Sequence, residues 1–348
     1  MSRTYLDWNA TTPLRPEARA AMIAALDLVG NPSSVHAEGR AAKAIVERAR
    51  AQVAAAFGAD GADVIFTAGA TEAAALALAG RGLVCAGVEH DAVLAWCDAT
   101  LAVNAQGAVA VPDPARAAVQ AANSETGVVQ ALPAGLAVTD ATQAFGKVPF
   151  AFSWCGARMA LIAAHKLGGP KGAGALVVTR GTDVVAQLRG GGQEMGRRAG
   201  TENIAAIAGF GAAAEAAARD LADGVWDRVA EIRNILELSI ADIAPSTISV
   251  GKGAARLPNT LCLITPGWKG ETQVMQMDLA GYAISAGSAC SSGKVRASRT
   301  LQAMGYDEGL AASAIRVSLG PDVTTEQVLR FADVFGAAAR KQTARRAG

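Results

Sequence analysis

Short apolar runs alternate with helical stretches between residues 41 and 178. The runs are five to seven residues long, which is typical of buried strands, and they read DVIFT, GLVCA, LAVTD, RMALIAA and GALVV. Strands that alternate with helices in this way predict an α/β domain with a mostly parallel central sheet covered by helices. Such a domain binds its ligand beyond the carboxyl ends of the strands, so we expect the functional residues in the segments that follow the runs.

The pattern changes towards the C-terminal end. A long helical region covers residues 202–244, and it is followed by the strand-like runs TISV and NTLCLI, a helix, the strand AIRVSL and a last helix. This order predicts a second, smaller α+β domain. We place the boundary near residue 223, with residues 15–222 in the large domain and residues 1–14 and 223–348 in the small domain.

The composition narrows the range of partners. Lys plus Arg number 32 and Asp plus Glu number 31, so no net field attracts nucleic acid or an anionic membrane surface, and a small ligand fits better. Polar or charged residues interrupt every apolar stretch before the ~18 residues needed to span a bilayer. Asp7 and Asn9 stand where a secretory signal would have its apolar region. We therefore expect a cytoplasmic protein that binds neither nucleic acid nor membrane.

The cysteines and histidines form no pattern of metal ligands. Five cysteines stand far apart without a C-x-x-C pair, and none of the three histidines shares a local ligand spacing with a cysteine or a carboxylate. Neither a disulfide framework nor a metal site is expected. Cys290 stands out because the segment ISAGSACSSGK surrounds it with Ser and Gly instead of apolar residues. This setting suits a thiol that must reach a reactant, and an inert loop cysteine is the alternative.

Two segments that follow apolar runs carry candidate chemistry. In FTAGATEAAALAL, a helix begins near Ala70 and Thr71, and the free N–H groups of its first turn would suit a phosphate. The alternative is that Thr71 simply caps the helix. In LIAAHKLGGPKG, Lys166 follows a buried strand, where partial desolvation would lower the pKa of its amine and favour Schiff-base chemistry. A surface lysine or a phosphate contact is the alternative.

Two further polar residues follow strand-like runs. Asp140 ends LAVTD, where its carboxylate could hold a protonated ring nitrogen, or could cap the following helix. His90 in VEHDAVL could stack on a ring or move protons, although a histidine satisfied within the core is the commoner case.

These motifs, in this order, resemble the cysteine desulfurase family, which are pyridoxal-phosphate enzymes of the class V aminotransferase group. The resemblance spans nearly the whole chain, and its motifs are YLDWNATTPLRPEA, NPSSVHAEGRAAK, FTAGATEA, EHDAVL, NSETGVVQ, DATQAFGKVP, HKLGGPKG, GGGQEMGRRAGTENIAAI, SAGSACSSGK and AIRVSLG. It implies a fold type I homodimer whose active site lies at the subunit interface.

The resemblance also implies roles for residues around the cofactor. Lys166 would bind pyridoxal 5'-phosphate through a Schiff base and then transfer protons. Asp140 would pair with the ring nitrogen and keep the ring an electron sink. Gln143 would hydrogen-bond the ring hydroxyl, and His90 would stack on the ring and act as acid or base.

Further roles concern the phosphate. The resemblance implies that Ala70 and Thr71 at the helix start, together with His165, hold the phosphate. Thr201 in RAGTEN would reach the same phosphate from the other subunit, which makes the dimer part of the site.

The remaining roles concern the substrate, L-cysteine. Arg316 would bind its carboxylate as a bidentate partner, and Asn31 and Asn9 lie in motifs that border it. Cys290 would attack the substrate sulfur, leaving a persulfide on the protein and releasing alanine. The persulfide would then pass to an acceptor protein, such as an iron–sulfur scaffold, for cluster assembly or thio-modification.

Two positions depart from the family pattern. Ser124 stands where the family usually has a second Asn, near the ring hydroxyl and the substrate carboxylate, and Ala163 stands where the family has a Ser that binds the phosphate. A lost neutral hydrogen bond costs ~1 kcal/mol, so these departures would weaken cofactor binding. Two other functions stay open on the sequence: a selenocysteine lyase or other β-lyase of the same fold, and a catalytically weak paralogue that acts as a binding or scaffold partner.

Overall fold

The computed structural model of the chain describes residues 3–287 and 297–347. The strands are β1 (Thr4–Tyr5), β2 (Ala62–Thr67), β3 (Val84–Ala86), β4 (Asp98–Leu101), β5 (Ala118–Gln120), β6 (Leu136–Asp140), β7 (Ala157–Ala163), β8 (Gly174–Thr179), β9 (Ile248–Ser249), β10 (Thr260–Ile264), β11 (Tyr282–Ala283), β12 (Ser285–Ala286) and β13 (Ala314–Ser318). The helices are α1 (Pro16–Leu26), α2 (Ala37–Ala56), α3 (Ala70–Leu78), α4 (Asp91–Leu94), α5 (Ile204–Ala222), α6 (Val225–Ile243), α7 (Gly270–Leu279), α8 (Arg299–Ala303), α9 (Glu308–Ala311) and α10 (Thr325–Ala347).

The larger sheet has the strand order β2-β8-β7-β6-β5. Strands β5, β6 and β7 pair in parallel, whereas β8 lies antiparallel to both β7 and β2. Strands β2, β5, β6 and β7 therefore all point the same way, and their carboxyl ends share one edge. A single parallel bridge between Val84 and Ala117 adds the β3–β4 pair beside β5. The predicted α/β fold with a mostly parallel central sheet is confirmed, with β8 as its antiparallel member.

Both faces of this sheet are buried. On β2, Val64 and Phe66 pack in one cluster with α2 and α5, whereas Ile65 between them packs in another cluster with α3. On β7 the same alternation places Ile162 on the α2–α5 side and Leu161 on the α3 side. Strands covered on both faces carry near-continuous apolar runs, which explains the sequence pattern.

A second, antiparallel sheet has the order β12-β13-β10-β9. Helices α6 and α10 pack on one face, where Leu261 and Ile315 meet Phe331 and Phe335. The N-terminal strand β1 pairs in parallel with β11, and Leu6 lies in the same apolar cluster. The smaller α+β unit is thus present as a packing unit, while the domain bounds themselves stay a prediction. Within the described residues, none of the helices combines the length and apolar character that a bilayer crossing requires.

The backbone of Gly174 packs closely against the turn before α3. Gly174 begins β8 opposite Ala163, and a Cβ atom at Gly174 would lie 2.7 Å from the Gly69 Cα and 2.7 Å from the Ile162 carbonyl oxygen. Both neighbours are backbone, so neither can move aside without shifting the turn that precedes α3.

We expect the substitution Gly174→Ala to lower the free energy of unfolding by about 1–3 kcal/mol, the range for overpacking a well-packed interior. Chemical denaturation followed by circular dichroism measures this change. Gly253→Ala is the matched control, because a Cβ atom there would meet only the side-chain end of Gln106. Equal stability of the two variants would contradict the claimed tight contact.

Candidate active site

The carboxyl ends of the parallel strands bring the candidate residues to one edge of the sheet. Asp140 ends β6, and a 3-10 turn over Ala164–Lys166 directly follows β7. Strand β2 ends at Thr67, and α3 begins three residues later at Ala70. Since β2, β6 and β7 point the same way, the carboxylate, the amine and the helix start share this edge.

The Lys166 amine is half-buried beneath the N-terminal segment. Its Nζ donates to the carbonyl oxygens of Asn9 at 2.6 Å and Ala10 at 2.8 Å. The same segment is also hydrogen-bonded to His165, the residue before Lys166, because the backbone N–H of Thr12 donates to the His165 carbonyl at 3.0 Å. Lys166 is therefore held in place by backbone, and the surface-lysine alternative does not describe it.

His165 is held as a neutral imidazole. Its Nδ1 lies 3.2 Å from the Thr11 hydroxyl. Burial above all, together with the neighbouring Lys166 and Lys171 ammonium groups, lowers the pKa of His165 to about 4. A neutral imidazole has one N–H group, and a residue that binds a phosphate at this place needs such a donor.

The start of α3 has free donors. Gly69 is the N-cap residue, and no side chain caps the helix. Thr71 lies inside the first turn and is exposed, so the alternative in which Thr71 caps the helix is wrong. The first N–H groups of a helix lack intrahelical partners, so this turn presents donors and the positive end of the helix dipole to an anion.

Asp140 and His90 both organise short turns. The Asp140 Oδ1 accepts from the Thr142 backbone N–H at 2.9 Å. The exposed His90 side chain caps α4, because its Nδ1 accepts from the Ala92 N–H at 3.1 Å. His90 is not a core histidine.

A buried hydrogen-bond network joins Gln143 to the N-terminal segment. The Gln143 Nε2 donates to the Asn9 carbonyl at 2.9 Å, and its Oε1 accepts from the Lys147 Nζ at 2.7 Å. The Asn9 side chain donates from Nδ2 to the Ser124 carbonyl at 3.1 Å and to the Thr260 hydroxyl at 2.8 Å. All the donors of the Asn9 amide are thus used within the chain, so we expect Asn9 to shape the substrate region.

Arg316 reaches the same region from β13. Its Nη2 donates to the Asp7 carboxylate at 2.7 Å, and its Nη1 donates to the Ser124 carbonyl at 3.2 Å. Its Nε is buried and has no acceptor among the described residues. The guanidinium is therefore oriented from one side, while Nε stays available to a carboxylate. Ser124 takes part through its backbone oxygen.

Glu125 connects this region to the segment that carries Cys290. Its carboxylate accepts from the Ser298 hydroxyl at 2.6 Å and from the Thr300 hydroxyl at 3.1 Å. A Cβ atom at Gly287 would lie 3.2 Å from the Glu125 Oε2. Cys290 itself lies outside the described residues, but the residues on both sides of that gap converge on Glu125.

Other predicted residues lie apart from this cluster. Asn31 is exposed, and its Oδ1 accepts from the Ser33 N–H at 2.9 Å. Thr201 is exposed ahead of α5, and its side chain forms no hydrogen bond to the described residues.

The cysteines other than Cys290 are all buried. In the part of the chain that the structure describes, no three His, Cys, Asp or Glu side chains group as metal ligands.

The sequence interpretation missed three residues of the network. Asp7, Lys147 and Glu125 each lie inside a quoted motif, but no role was assigned to them. Lys147 gave a usable signal, because a lysine between Phe145 and Val148 interrupts an otherwise buried apolar stretch. Asp7 and Glu125 gave no such signal in the sequence. The partner of Asp7 is Arg316 and that of Glu125 is Ser298, and both partners lie far away along the chain.

Known proteins share this architecture. A family model described as aminotransferase class-V matches residues 4–331. A cysteine desulfurase of Frankia sp. is 40% identical, and the alignment covers 96% of this chain and 90% of the Frankia protein. A cysteine desulfurase of Klebsiella pneumoniae is 39% identical over 92% of this chain and 88% of that protein. The chain belongs to the cysteine desulfurase family.

Solved structures agree with the fold of this desulfurase. The X-ray structure of a NifS-like protein from Rickettsia africae ESF-5 superposes with a TM-score of 0.86 at 29% identity, covering 96% of this chain and 99% of that one. The fold type I expectation is confirmed. The two alternative functions, a lyase for another amino acid and a scaffold paralogue, are not favoured by relatives that are named cysteine desulfurases.

The family depends on pyridoxal phosphate, and the site residues of this desulfurase fit that group. A half-buried amine, a carboxylate and an uncapped helix start share one edge of the sheet. An aldehyde, a ring nitrogen and a phosphate require partners of those three kinds. The departure at position 163 leaves a fully apolar, buried Ala163 beside Gly174, so it supplies no ligand from that point of β7.

The lowered pKa of His165 predicts a pH dependence of stability. Between pH 6.5 and about 4 the unfolded chain binds a proton at this imidazole while the folded chain does not, so acidification across that window favours unfolding. We expect the variant His165→Gln, without cofactor, to lose stability less steeply than the wild type over this range. Urea denaturation at a series of pH values measures the slopes. Parallel curves for His165→Gln and the wild type would refute the assignment.

Proposed function

We propose that this desulfurase converts L-cysteine to L-alanine on pyridoxal phosphate at the site around Lys166, and that Cys290 receives the sulfur. The observation that carries the proposal is the convergence of Lys166, Asp140 and the start of α3 on one edge of the sheet. Bound pyridoxal phosphate supplies an electron sink for bond cleavage at the substrate amino acid.

Each protein group has a role in this proposal. The Lys166 amine holds the cofactor and afterwards moves a proton at the substrate carbon, as the carbonyl oxygens of Asn9 and Ala10 orient it. Asp140 pairs with the ring nitrogen, and its backbone-anchored Oδ1 fixes the direction of the carboxylate. His90 stacks on the ring and acts as acid or base. Gln143 donates to the ring oxygen.

The phosphate is held by the N–H groups of Ala70 and Thr71 and by His165. We propose that Thr201 of the partner subunit completes this site in a homodimer, which its exposure and its place ahead of α5 support. Ser124 adds its carbonyl to the frame that positions Arg316 near the cofactor. An asparagine at position 124 would supply the same carbonyl, so the serine leaves this frame intact.

The substrate binds through its carboxylate to Arg316, whose Nε has no acceptor within the described chain and whose Nη2 is anchored on Asp7. Asn9 and Asn31 border the substrate. The Cys290 thiolate attacks the substrate sulfur, so a Cys290 S–S bond forms while the substrate C–S bond breaks, and protonation of the carbon releases alanine. The persulfide then passes to an acceptor protein, such as an iron–sulfur scaffold, in the cytoplasm.

The reaction gives a direct test. Pure protein incubated with L-cysteine and a thiol reductant is expected to form alanine and sulfide in equal amounts. Cys290→Ser should keep the yellow colour of the bound cofactor and reduce sulfide release to background, whereas Lys166→Ala should lose the colour. The control Cys155→Ser, at a buried thiol that donates to the Phe152 carbonyl at 3.3 Å, should retain activity. Undiminished sulfide release by Cys290→Ser would remove the nucleophile assignment.

Arg316 provides a second test. The substitution Arg316→Lys keeps the charge but removes the planar fork that binds a carboxylate with two N–H groups. A hydrogen bond to a charged group is worth ~1.5–3 kcal/mol, so we expect KM for L-cysteine to rise about tenfold or more. Steady-state kinetics with alanine detection measures this value. The exposed Arg330→Lys is the control, and an unchanged KM in Arg316→Lys would exclude the carboxylate role.

A further inference from the structure

Lys147 is a lysine in an unusual position. Its side chain is 2% exposed, and it lies in the segment between β6 and β7 among buried apolar residues. Within residues 3–287 and 297–347 no carboxylate lies within ion-pair distance of its amine. Burial lowers the pKa of the Lys147 amine well below its ordinary value, and the cations Lys166 and Arg316 lower it further. The structure therefore buries an amine without compensating its charge.

The amine has two acceptors, and both are side-chain amides of the site. Lys147 Nζ lies 2.7 Å from the Gln143 Oε1 and 3.2 Å from the Asn9 Oδ1. A neutral amine has two N–H groups, which match these two acceptors. An apolar side chain of the same length would fill the space at a lower cost of desolvation, so the amine serves the amides and not the packing.

The other contacts of the two amides show which of their atoms faces Lys147. The other contact of the Gln143 amide is the Asn9 carbonyl oxygen, which can only accept, so Nε2 must face it and Oε1 must face Lys147. The Asn9 amide likewise faces the Ser124 carbonyl with Nδ2 and Lys147 with Oδ1. Lys147 therefore has to donate to both oxygens.

This arrangement decides what Gln143 can offer to a ligand. Its Oε1 is taken by Lys147, and one of the two N–H groups of Nε2 is taken by Asn9. One N–H of Nε2 remains, so Gln143 can offer this donor to a ligand. Without Lys147 the Oε1 would be a buried acceptor with no donor among the described residues, so the Gln143 side chain would gain by moving to a conformation in which that oxygen finds one.

We propose that Lys147 is a positioning residue that locks Gln143 with its remaining N–H towards the ring oxygen of pyridoxal phosphate, an inference that rests on the proposed function. A donor at that oxygen stabilises its anionic form. The neighbouring proton on the nitrogen of Lys166 is then held less tightly by the ring oxygen.

The test is a spectrophotometric pH titration of the cofactor bound by Lys166. The substitution Lys147→Met, which keeps the length and removes the donors, is expected to raise the pH midpoint of the visible absorbance change by one unit or more. The exposed Lys252→Met is the matched control and should keep the wild-type midpoint. A Lys147→Met midpoint equal to that of the wild type overturns the proposal.

A double variant distinguishes positioning from a general structural effect. Gln143→Ala should raise the midpoint by itself, and adding Lys147→Met should then change it no further, because Lys147 acts through Gln143. Additive shifts would show that Lys147 acts by another route and would overturn the proposal.

A smaller variant covers the case in which Lys147→Met does not fold. Lys147→Ala should show the same upward shift, and added ethylamine should return the midpoint towards the wild-type value by occupying the vacated space. A shift that ethylamine leaves unchanged counts against the proposal. Failure of the proposed function looks different: wild-type protein mixed with pyridoxal phosphate would develop no visible absorbance at any pH.

Discussion

The site depends on the hydrogen bonds that the backbone of the N-terminal segment, residues 7–12, makes with both sheets and with Lys166 and Gln143. The segment crosses from the small sheet to the large one: the Trp8 N–H donates to Ser318 in the small unit, and the Thr12 N–H donates to His165 at the end of β7. Between these anchors, the Asn9 carbonyl accepts from both Lys166 and Gln143. The amine, the ring-facing amide and the two sheets are therefore positioned by one short stretch of backbone.

Burial explains why this stretch can position charged groups. Asn9 is 1% exposed and its amide is saturated, so it cannot rotate without leaving buried polar atoms unpaired. In the same region Arg316 is held by Asp7, and Glu125 is held by two hydroxyl groups. Such closed hydrogen-bond networks hold side chains rigidly, which is the requirement for groups that must meet a small substrate in one geometry.

The fold class and the candidate residues that follow strands could be predicted from the sequence. Lys166 and Asp140 could be found because apolar runs of strand length end immediately before or at them, and parallel strands bring such ends together. The antiparallel direction of β8 could not be predicted, because a strand covered on both faces has the same apolar pattern in either direction. The pairing of β1 with β11 was equally hidden, since it joins residues at opposite ends of the chain.

Residues that act through distant partners were harder to find. Arg316 was recognised by its motif, but its anchor Asp7 lies 309 positions earlier, and no local pattern links the two. Ser124 looked like a weakened ligand, whereas the structure uses its carbonyl, which any residue at that position supplies. Side-chain identity thus predicts chemistry at the ends of strands better than it predicts the backbone contacts that hold the site.

The pairing of β1 with β11 also sets the order in which the molecule is completed during translation. Thr4 is synthesised long before its partner Tyr282. The larger sheet can form before that point, whereas the segment that holds Lys166 and Gln143 is anchored only once the small sheet exists. A nascent chain therefore completes its cofactor site only after the strands of the small sheet have been synthesised.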